Sequence, residues 1–251
     1  MSDITEPVLG TAVVTGGAAG LGRAFAVALA QAGHAVAILD LAEASETLAE
    51  VNAQGVPSLS RVGDASDPAA VTDFAADVRR ELPPVRVVVN NVGISPYAPF
   101  VDTDLNLWHR VMRVNLDSMY LVTQAFLPDL LAHGAGRVVN LTSTVVWDSQ
   151  ARDMVAYGTS KAAVVGFTRA LAGEVGAHGV TVNAIAPGIV LTPDIVARVP
   201  AERLETYRGR QAVPVLAHPS DFTSAMLFLV SPASSQVTGT VLPINGGRVL
   251  L

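Results

Sequence analysis

Short runs of β-branched and other apolar residues alternate with alanine-rich stretches from one end of the chain to the other. The runs at 10–15, 35–40, 58–62, 85–90, 137–142, 180–186 and 240–244 are nearly continuous in apolar character, the pattern of strands in a sheet covered on both faces. Between them, 21–32, 42–54, 68–81, 105–132, 154–178 and 219–230 read as helices. This alternation predicts one α/β domain over 1–251, a doubly wound parallel sheet of about seven strands with helices on both faces. One stretch breaks the rhythm. Residues 189–218 hold Pro193, Pro200 and Pro214 around a charged, helical middle at 201–211. So long a connection leaving the C-terminal end of a strand predicts a substrate lid.

Composition narrows the classes of function. Half of the 251 residues are hydrophobic and 15% are charged, which suffices for a large core and excludes global disorder. A formal charge of −6 argues against nucleic acid as a partner. No apolar run reaches the roughly 18 residues of a membrane span, because Gln31, His34 and Asp40 interrupt the longest candidates. Residues 1–10 carry Asp3 and Glu6 and no signal-like apolar run. The expectation is a cytoplasmic protein with a small-molecule substrate and no membrane contact. Absence of cysteine excludes disulfides, thiolate metal sites and thiol nucleophiles. His34, His109, His133, His178 and His218 lack metal-ligand spacing and read as solvated or capping residues, so no metal is expected. Asn140-Leu141-Thr142 matches a glycosylation acceptor but falls in a predicted buried strand.

The candidate chemistry begins at Thr15–Gly22, a glycine-rich turn between the first strand and the first helix. Glycines there let backbone amides and a helix N-terminus approach a pyrophosphate. Asp40 ends the next strand, 18 residues after Gly22, near the offset of a ribose-binding acid in dinucleotide folds. A 2′-phosphate beside that carboxylate would cost roughly 3–4 kcal/mol per charge pair at an effective dielectric of ~20. No basic residue stands at Ala18, Ala19 or Leu41 to offset it, so NAD is favoured over NADP. Asp40 also reads as the N-cap of the helix that follows. Of the 16 basic residues, 15 are arginine, and Lys161 is the single lysine. It follows Tyr157 by four positions on one helical face. A phenol working near neutrality needs its pKa lowered by about 3 units, or roughly 4 kcal/mol, about what one adjacent cation supplies. Ser143, at the end of the fifth strand, puts a hydroxyl on the same edge of the sheet.

With these residues in view, the chain resembles the short-chain dehydrogenase/reductase family over essentially its whole length. The matching pieces are Thr15–Gly22, Asp64, Asn90-Asn91-Val92-Gly93, Asn115, Ser143, Tyr157-x-x-x-Lys161, Pro187-Gly188 with Thr192, and Asn245-Gly246-Gly247. The resemblance implies a Rossmann-type fold and an NAD-dependent alcohol dehydrogenase or ketoreductase. In it Tyr157 is the general acid/base, Ser143 orients the substrate oxygen, Lys161 binds the nicotinamide ribose, and Asn115 supports a water-linked proton path. The cofactor-binding set it implies is Gly16, Ala19, Leu21, Gly22, Asp40, Leu41, Asp64, Ala65, Asn91, Gly93, Tyr157, Lys161, Pro187, Gly188, Val190 and Thr192. The family commonly places its serine 13 residues before the tyrosine, which here is Thr144. Counting from Asn140 favours Ser143, with Thr144 as the fallback. Asn245 stands where aspartate is frequent.

The neighbourhood expected around the substrate, Ile94, Tyr97, Val145, Val146, Trp147, Met154, Val155, Ile189 and Val190, is largely apolar and suggests a hydrophobic or aryl ketone. Ser143, Val145, Trp147, Tyr97 and Ile189 are its expected pocket residues. A 3-oxoacyl-thioester (acyl carrier protein) reductase is the alternative enzyme, disfavoured by Asp40 and the acidic balance. A dinucleotide-binding sensor or scaffold is the non-enzyme alternative, disfavoured by the intact Ser143, Tyr157, Lys161 and Asn115. Thr159, Ala163, Gly166, Ala170 and Gly173 form a stripe of small residues along one helix. With the apolar Val249-Leu250-Leu251 it suggests a homotetramer, against a competing reading in which the stripe packs on its own sheet.

Overall fold

The strands form where the apolar runs predict them. They are β1 (Thr11–Thr15), β2 (Ala35–Asp40), β3 (Ser58–Val62), β4 (Val85–Asn90), β5 (Arg137–Leu141), β6 (Thr181–Pro187) and β7 (Val241–Ile244). The structure is a computed structural model that describes residues 9–250. Residues 1–8 and 251, with Asp3, Glu6 and the last of the three C-terminal apolar positions, lie outside the described residues. The helices are α1 (Gly20–Gln31), α2 (Ser45–Asn52), α3 (Pro68–Glu81), α4 (Leu105–Met112), α5 (Ser118–His133), α6 (Val155–Val175), α7 (Pro193–Arg198), α8 (Ala201–Arg208) and α9 (Thr223–Val230). Every strand pairing is parallel, in the order β3-β2-β1-β4-β5-β6-β7. Winding reverses between β1 and β4, which opens a crevice at the C-terminal edge of the sheet.

Two apolar layers sandwich the sheet. On one face Phe25 and Leu29 of α1, Val51 of α2 and Met226 of α9 pack on Val14, Ile38 and Val89. On the other, Phe74 of α3 and Phe126 and Leu130 of α5 pack on Val13, Leu39 and Val88. Phe74 and Phe126 meet edge to face, with ring centroids 6.0 Å apart. Inside the sheet Asn140 is fully enclosed, donating to Thr168 Oγ1 at 2.9 Å and accepting from Asn90 Nδ2 at 2.8 Å. That placement leaves no room for a glycan on the acceptor-like triplet.

The structure corrects the sequence pattern in four places. The predicted 42–54 helix starts only at Ser45, because the Asp40 carboxylate accepts from Ala42 N at 3.0 Å and from Ala18 N at 2.8 Å. Asp40 therefore braces the glycine-rich turn and caps no helix. The predicted 105–132 helix contains a π-turn at Arg113–Asp117, a one-residue widening that apolar periodicity does not register. The lid region adds α7, which begins with Thr192 accepting from Ile195 N and Pro193 in the first turn, a start signal hidden among the prolines. His34 is buried and neither solvated nor capping, and its burial pushes its pKa below the usual value. No helix among the described residues is long and apolar enough to cross a membrane.

Candidate active site

The glycine-rich turn between β1 and α1 is held open by what lacks a side chain and by what reaches across to it. Gly16 adopts φ 66°, and Asn91 Nδ2, from the end of β4, donates to the carbonyls of Thr15 and Gly16 at 3.1 Å each. A Cβ on Gly22 would overlap the Gly16 carbonyl, so the first turn of α1 lies against the loop itself. Ala19 is the N-cap in extended conformation and offers no side-chain acceptor. The first amides of α1 stay available to an anion. Leu21 lines the cleft below. At the end of β2, Leu41 stands 74% exposed next to the Asp40 carboxylate. At the end of β3, Asp64 accepts from Ser66 N at 2.8 Å and Ser66 Oγ at 2.7 Å, which holds its carboxyl below the usual range, beside the buried Ala65. A glycine cradle, open helix amides and a carboxylate at the tip of β2 fit a dinucleotide.

Beyond the turn opens a cleft of about 800 Å³. Gly93, Ser143, Tyr157 and Lys161 line it, as do Pro187, Gly188, Ile189, Val190 and Thr192 from the end of β6 and the start of the lid region. Lys161 is 4% exposed, and its ammonium donates to the carbonyl of Leu141 at 2.7 Å and lies 5.9 Å from the Tyr157 ring centroid. Burial lowers its pKa to about 8. A Cβ on Gly93 would come within 3.2 Å of that ammonium and 3.3 Å of Asn115 Oδ1, so a larger residue here would crowd both side chains. Asn115 sits in the π-turn with its amide fully engaged. It accepts from Ile94 N at 2.7 Å and donates to Ile94 O and Ser160 Oγ at 2.9 Å. Thr142 Oγ1 donates to the carbonyl of Lys161 at 2.7 Å, tying the end of β5 to α6.

The Tyr157 phenol is raised above its ordinary value by burial, while the neighbouring Ser143 hydroxyl hydrogen-bonds it and pulls the other way. The expected lowering by the lysine cation does not emerge: burial dominates, and the lowering contribution comes from Ser143. Of the two candidate hydroxyls, Ser143 neighbours the phenol. Thr144 is buried, and its Oγ1 donates to the carbonyl of Pro187 at 3.2 Å.

A family model described as enoyl-(acyl carrier protein) reductase matches residues 16–248. A cis-4-hydroxycyclohexanecarboxylate dehydrogenase of Sinomonas cyclohexanicum is 37% identical over 241 residues, 94% of this chain and 95% of its own. A galactitol 2-dehydrogenase (L-tagatose-forming) of Cereibacter sphaeroides is 36% identical, over 94% of this chain and 93% of its own. The chain belongs to the short-chain dehydrogenase/reductase family. A solved structure from Beutenbergia cavernae, of a candidate NAD(P)-dependent gluconate 5-dehydrogenase with NADP at low occupancy, superimposes on it with TM-score 0.89 at 37% identity, covering 96% of this chain and 97% of that one. The protein is accordingly an NAD(P)-dependent oxidoreductase.

As a short-chain dehydrogenase/reductase it departs from the apolar pocket its sequence suggests. Tyr97, Val145, Met154, Ile189 and Val190 do line the cleft, but Val146, Trp147 and Val155 are not among its lining residues, and Val155 is 47% exposed. In their place stand charged and polar groups that the sequence scatters: Arg110 of α4, Asp148 and Gln150 after β5, Tyr207 and Arg203 of α8, Arg210, and Arg248 near the C-terminus. Tyr207 ties the lid region down. Its hydroxyl accepts from Ile189 N at 3.1 Å, and the Arg248 guanidinium lies 5.5 Å from its ring while pairing with Asp148 at 2.9 Å. A turn signal at Asn245-Gly246-Gly247 marks the bend that delivers Arg248. Nothing in the spacing of Asp148 or Tyr207 announces their meeting.

Burial of Lys161 makes stability depend on pH. Between about pH 8 and 10.5 the unfolded chain holds the lysine proton that the folded one has released. Raising pH through that window therefore stabilises the fold. The unmodified protein should gain thermal stability relative to Lys161→Met between these pH values. A pH-independent difference in melting temperature between the two would disprove the assignment.

Proposed function

We propose that the protein transfers a hydride between NAD(H) and a secondary alcohol or ketone of polar character, without a metal. The observation that carries this reading is the convergence of Ser143, Tyr157 and Lys161 on one cleft that adjoins the glycine-rich turn. The bound dinucleotide supplies the carbon that accepts or gives the hydride. Everything else is positioning and proton movement by side chains. The Ser143 hydroxyl holds the substrate oxygen. The Tyr157 hydroxyl takes its proton in oxidation and returns it in reduction. Lys161, its ammonium 5.9 Å from the phenol ring centroid, would hold the nicotinamide ribose, and its cation, with that of an oxidised nicotinamide, would favour the phenolate. Asn115 fixes the Ile94 backbone and Ser160 beside that ammonium and keeps the path to bulk water shaped. Residues 189–218 act as the lid.

NAD is proposed over NADP because the Asp40 carboxylate at the tip of β2, beside the glycine-rich turn, would repel a 2′-phosphate and the exposed Leu41 offers no cation. One solved relative holds NADP and another holds NAD, so the preference rests on Asp40 and Leu41 alone. The 3-oxoacyl carrier-protein reductase reading has relatives of that name at 33% and 34% identity in its favour and Asp40 against it. A cytoplasmic homotetramer is proposed as the working form. Thr159, Gly166, Ala170 and Gly173 of α6 are exposed, and a Cβ on Gly166 or Gly173 would meet nothing within 4 Å. The small-residue stripe thus faces away from its own sheet, and Leu250 is 85% exposed at the other candidate contact.

Tyr157→Phe should lower kcat by roughly a hundredfold or more while NADH binding, read by fluorescence, persists. Ser143→Ala should cost much more activity than Thr144→Ala, and the reverse ranking would move the substrate-orienting role to Thr144. NAD should exceed NADP in kcat/KM by roughly a hundredfold or more, and Asp40→Ala with Leu41→Arg should narrow or reverse that gap. Equal use of both cofactors by the unmodified protein would defeat the argument. Light scattering should report four times 26.0 kDa, and an active monomer at micromolar concentration would refute the assembly.

A further inference from the structure

An acidic chain lines its cleft with basic side chains. Against a net charge of −6, the lining includes Arg110, Lys161, Arg198, Arg203, Arg210 and Arg248 but only two acidic residues, Asp148 and Asp194. Both carboxylates are neutralised within the protein, Asp148 by Arg248 at 2.9 Å and Asp194 by Arg198 at 2.5 Å. Lys161 is buried beneath the phenol. Among the described residues Arg110, Arg203 and Arg210 form no ion pair and make no side-chain hydrogen bond. They come from α4, α8 and the turn after α8, which sequence separates and the cleft brings together.

Arg203 is nevertheless held in place. Its guanidinium carbon lies 4.6 Å from the centroid of the Tyr97 ring, across the cleft mouth from the lid region to the loop after β4. Stacking uses the face of a guanidinium and leaves its N–H edge free for two-point recognition of an oxyanion. Arg210 precedes Gln211, whose Nε2 donates to the carbonyl of Asn245 at 2.9 Å in a buried contact. The chain carrying Arg210 is therefore pinned. Tyr97 in turn stands near enough to Tyr157 for its oxygen to influence the phenol. Tyr97 thus connects the neighbourhood of the phenol to Arg203.

We propose that Arg203 and Arg210, with Arg110 on the adjoining wall, hold an oxyanion at the far end of the substrate. The substrate class is then a secondary alcohol or ketone that also carries a carboxylate, or a phosphate on a thioester carrier. This rests on the dehydrogenase reading of the same site. Three arginines without carboxylate partners on the rim of an otherwise acidic molecule focus a positive potential where a substrate enters.

The test compares 4-hydroxycyclohexanecarboxylate with its neutral carboxamide as substrates with NAD, and adds 3-hydroxybutyryl-coenzyme A as the phosphate arm. The acid or the thioester should exceed the amide in kcat/KM by at least about tenfold. Arg203→Gln with Arg210→Gln should remove most of that advantage, by raising KM for the anion more than by lowering kcat. Arg208→Gln, which removes an arginine paired with Glu205 outside the cleft lining, should leave it intact. Equal use of acid, thioester and amide, or an advantage that survives the double substitution, overturns the proposal while leaving the dehydrogenase reading standing. Calorimetric titration of the same three compounds into the protein with NADH reads the proposal even if none is turned over. Tighter binding of an anion that the double substitution abolishes supports it, and equal binding or none overturns it.

Discussion

A single buried ammonium organises this molecule's site. Lys161 is almost fully enclosed, and taking its charge from water is unfavourable unless a partner is supplied. The partner is the carbonyl of Leu141, available because it sits at the last residue of β5. Three further features follow from keeping that ammonium where it is. Glycine at 93 keeps the β4 loop clear of the ammonium, where a Cβ would come within 3.2 Å. Asn115 has to hold the same loop by its backbone, and a π-turn presents it at the needed angle. Thr142 has to lock α6 to the sheet through the lysine's own carbonyl.

Most of the scaffold is legible in the chain because a central parallel strand leaves a continuous apolar run, and no other element of this size does so between turn signals. Residues 35–40, 58–62 and 85–90 were readable to the residue for that reason. That the glycine-rich turn and Asp40 meet was readable too, since both lie within one β-α-β unit and keep fixed spacing. What stayed hidden has a common cause. The π-turn, the delayed start of α2 and the tie between Tyr207, Arg248 and Asp148 depend on contacts between segments far apart in sequence, which no local period encodes. The apolar pocket failed for the same reason: Trp147 lies close in sequence to the reacting groups, yet the turn at Thr144–Val146 carries it out of the cleft lining.

Net charge proves a poor guide to the site's own field. The carboxylates that make the chain acidic sit largely on outer faces, many of them paired, such as Asp77 and Glu81 with Arg61 and Asp129 with Arg79. A potential near a low-dielectric cleft is set by the few charges on its walls. Here those are arginines. The global balance speaks against a polyanionic partner spread over a wide surface, and it leaves room for a small anion held at one point.

The Asp40 carboxylate is joined to two backbone amides, one in the turn that would face the pyrophosphate and one just past its own strand. The group proposed to repel a 2′-phosphate is thus also a strut of the glycine-rich turn. Any single substitution that relaxes the repulsion also slackens the strut. Drift toward the other dinucleotide would then pass through an intermediate weaker with both, unless a second change re-braces Ala18 first. If that preference holds, a change of cofactor would have to cross an adaptive valley created by the geometry itself, and a chain on the far side of it should carry a replacement acceptor at the Ala18 amide.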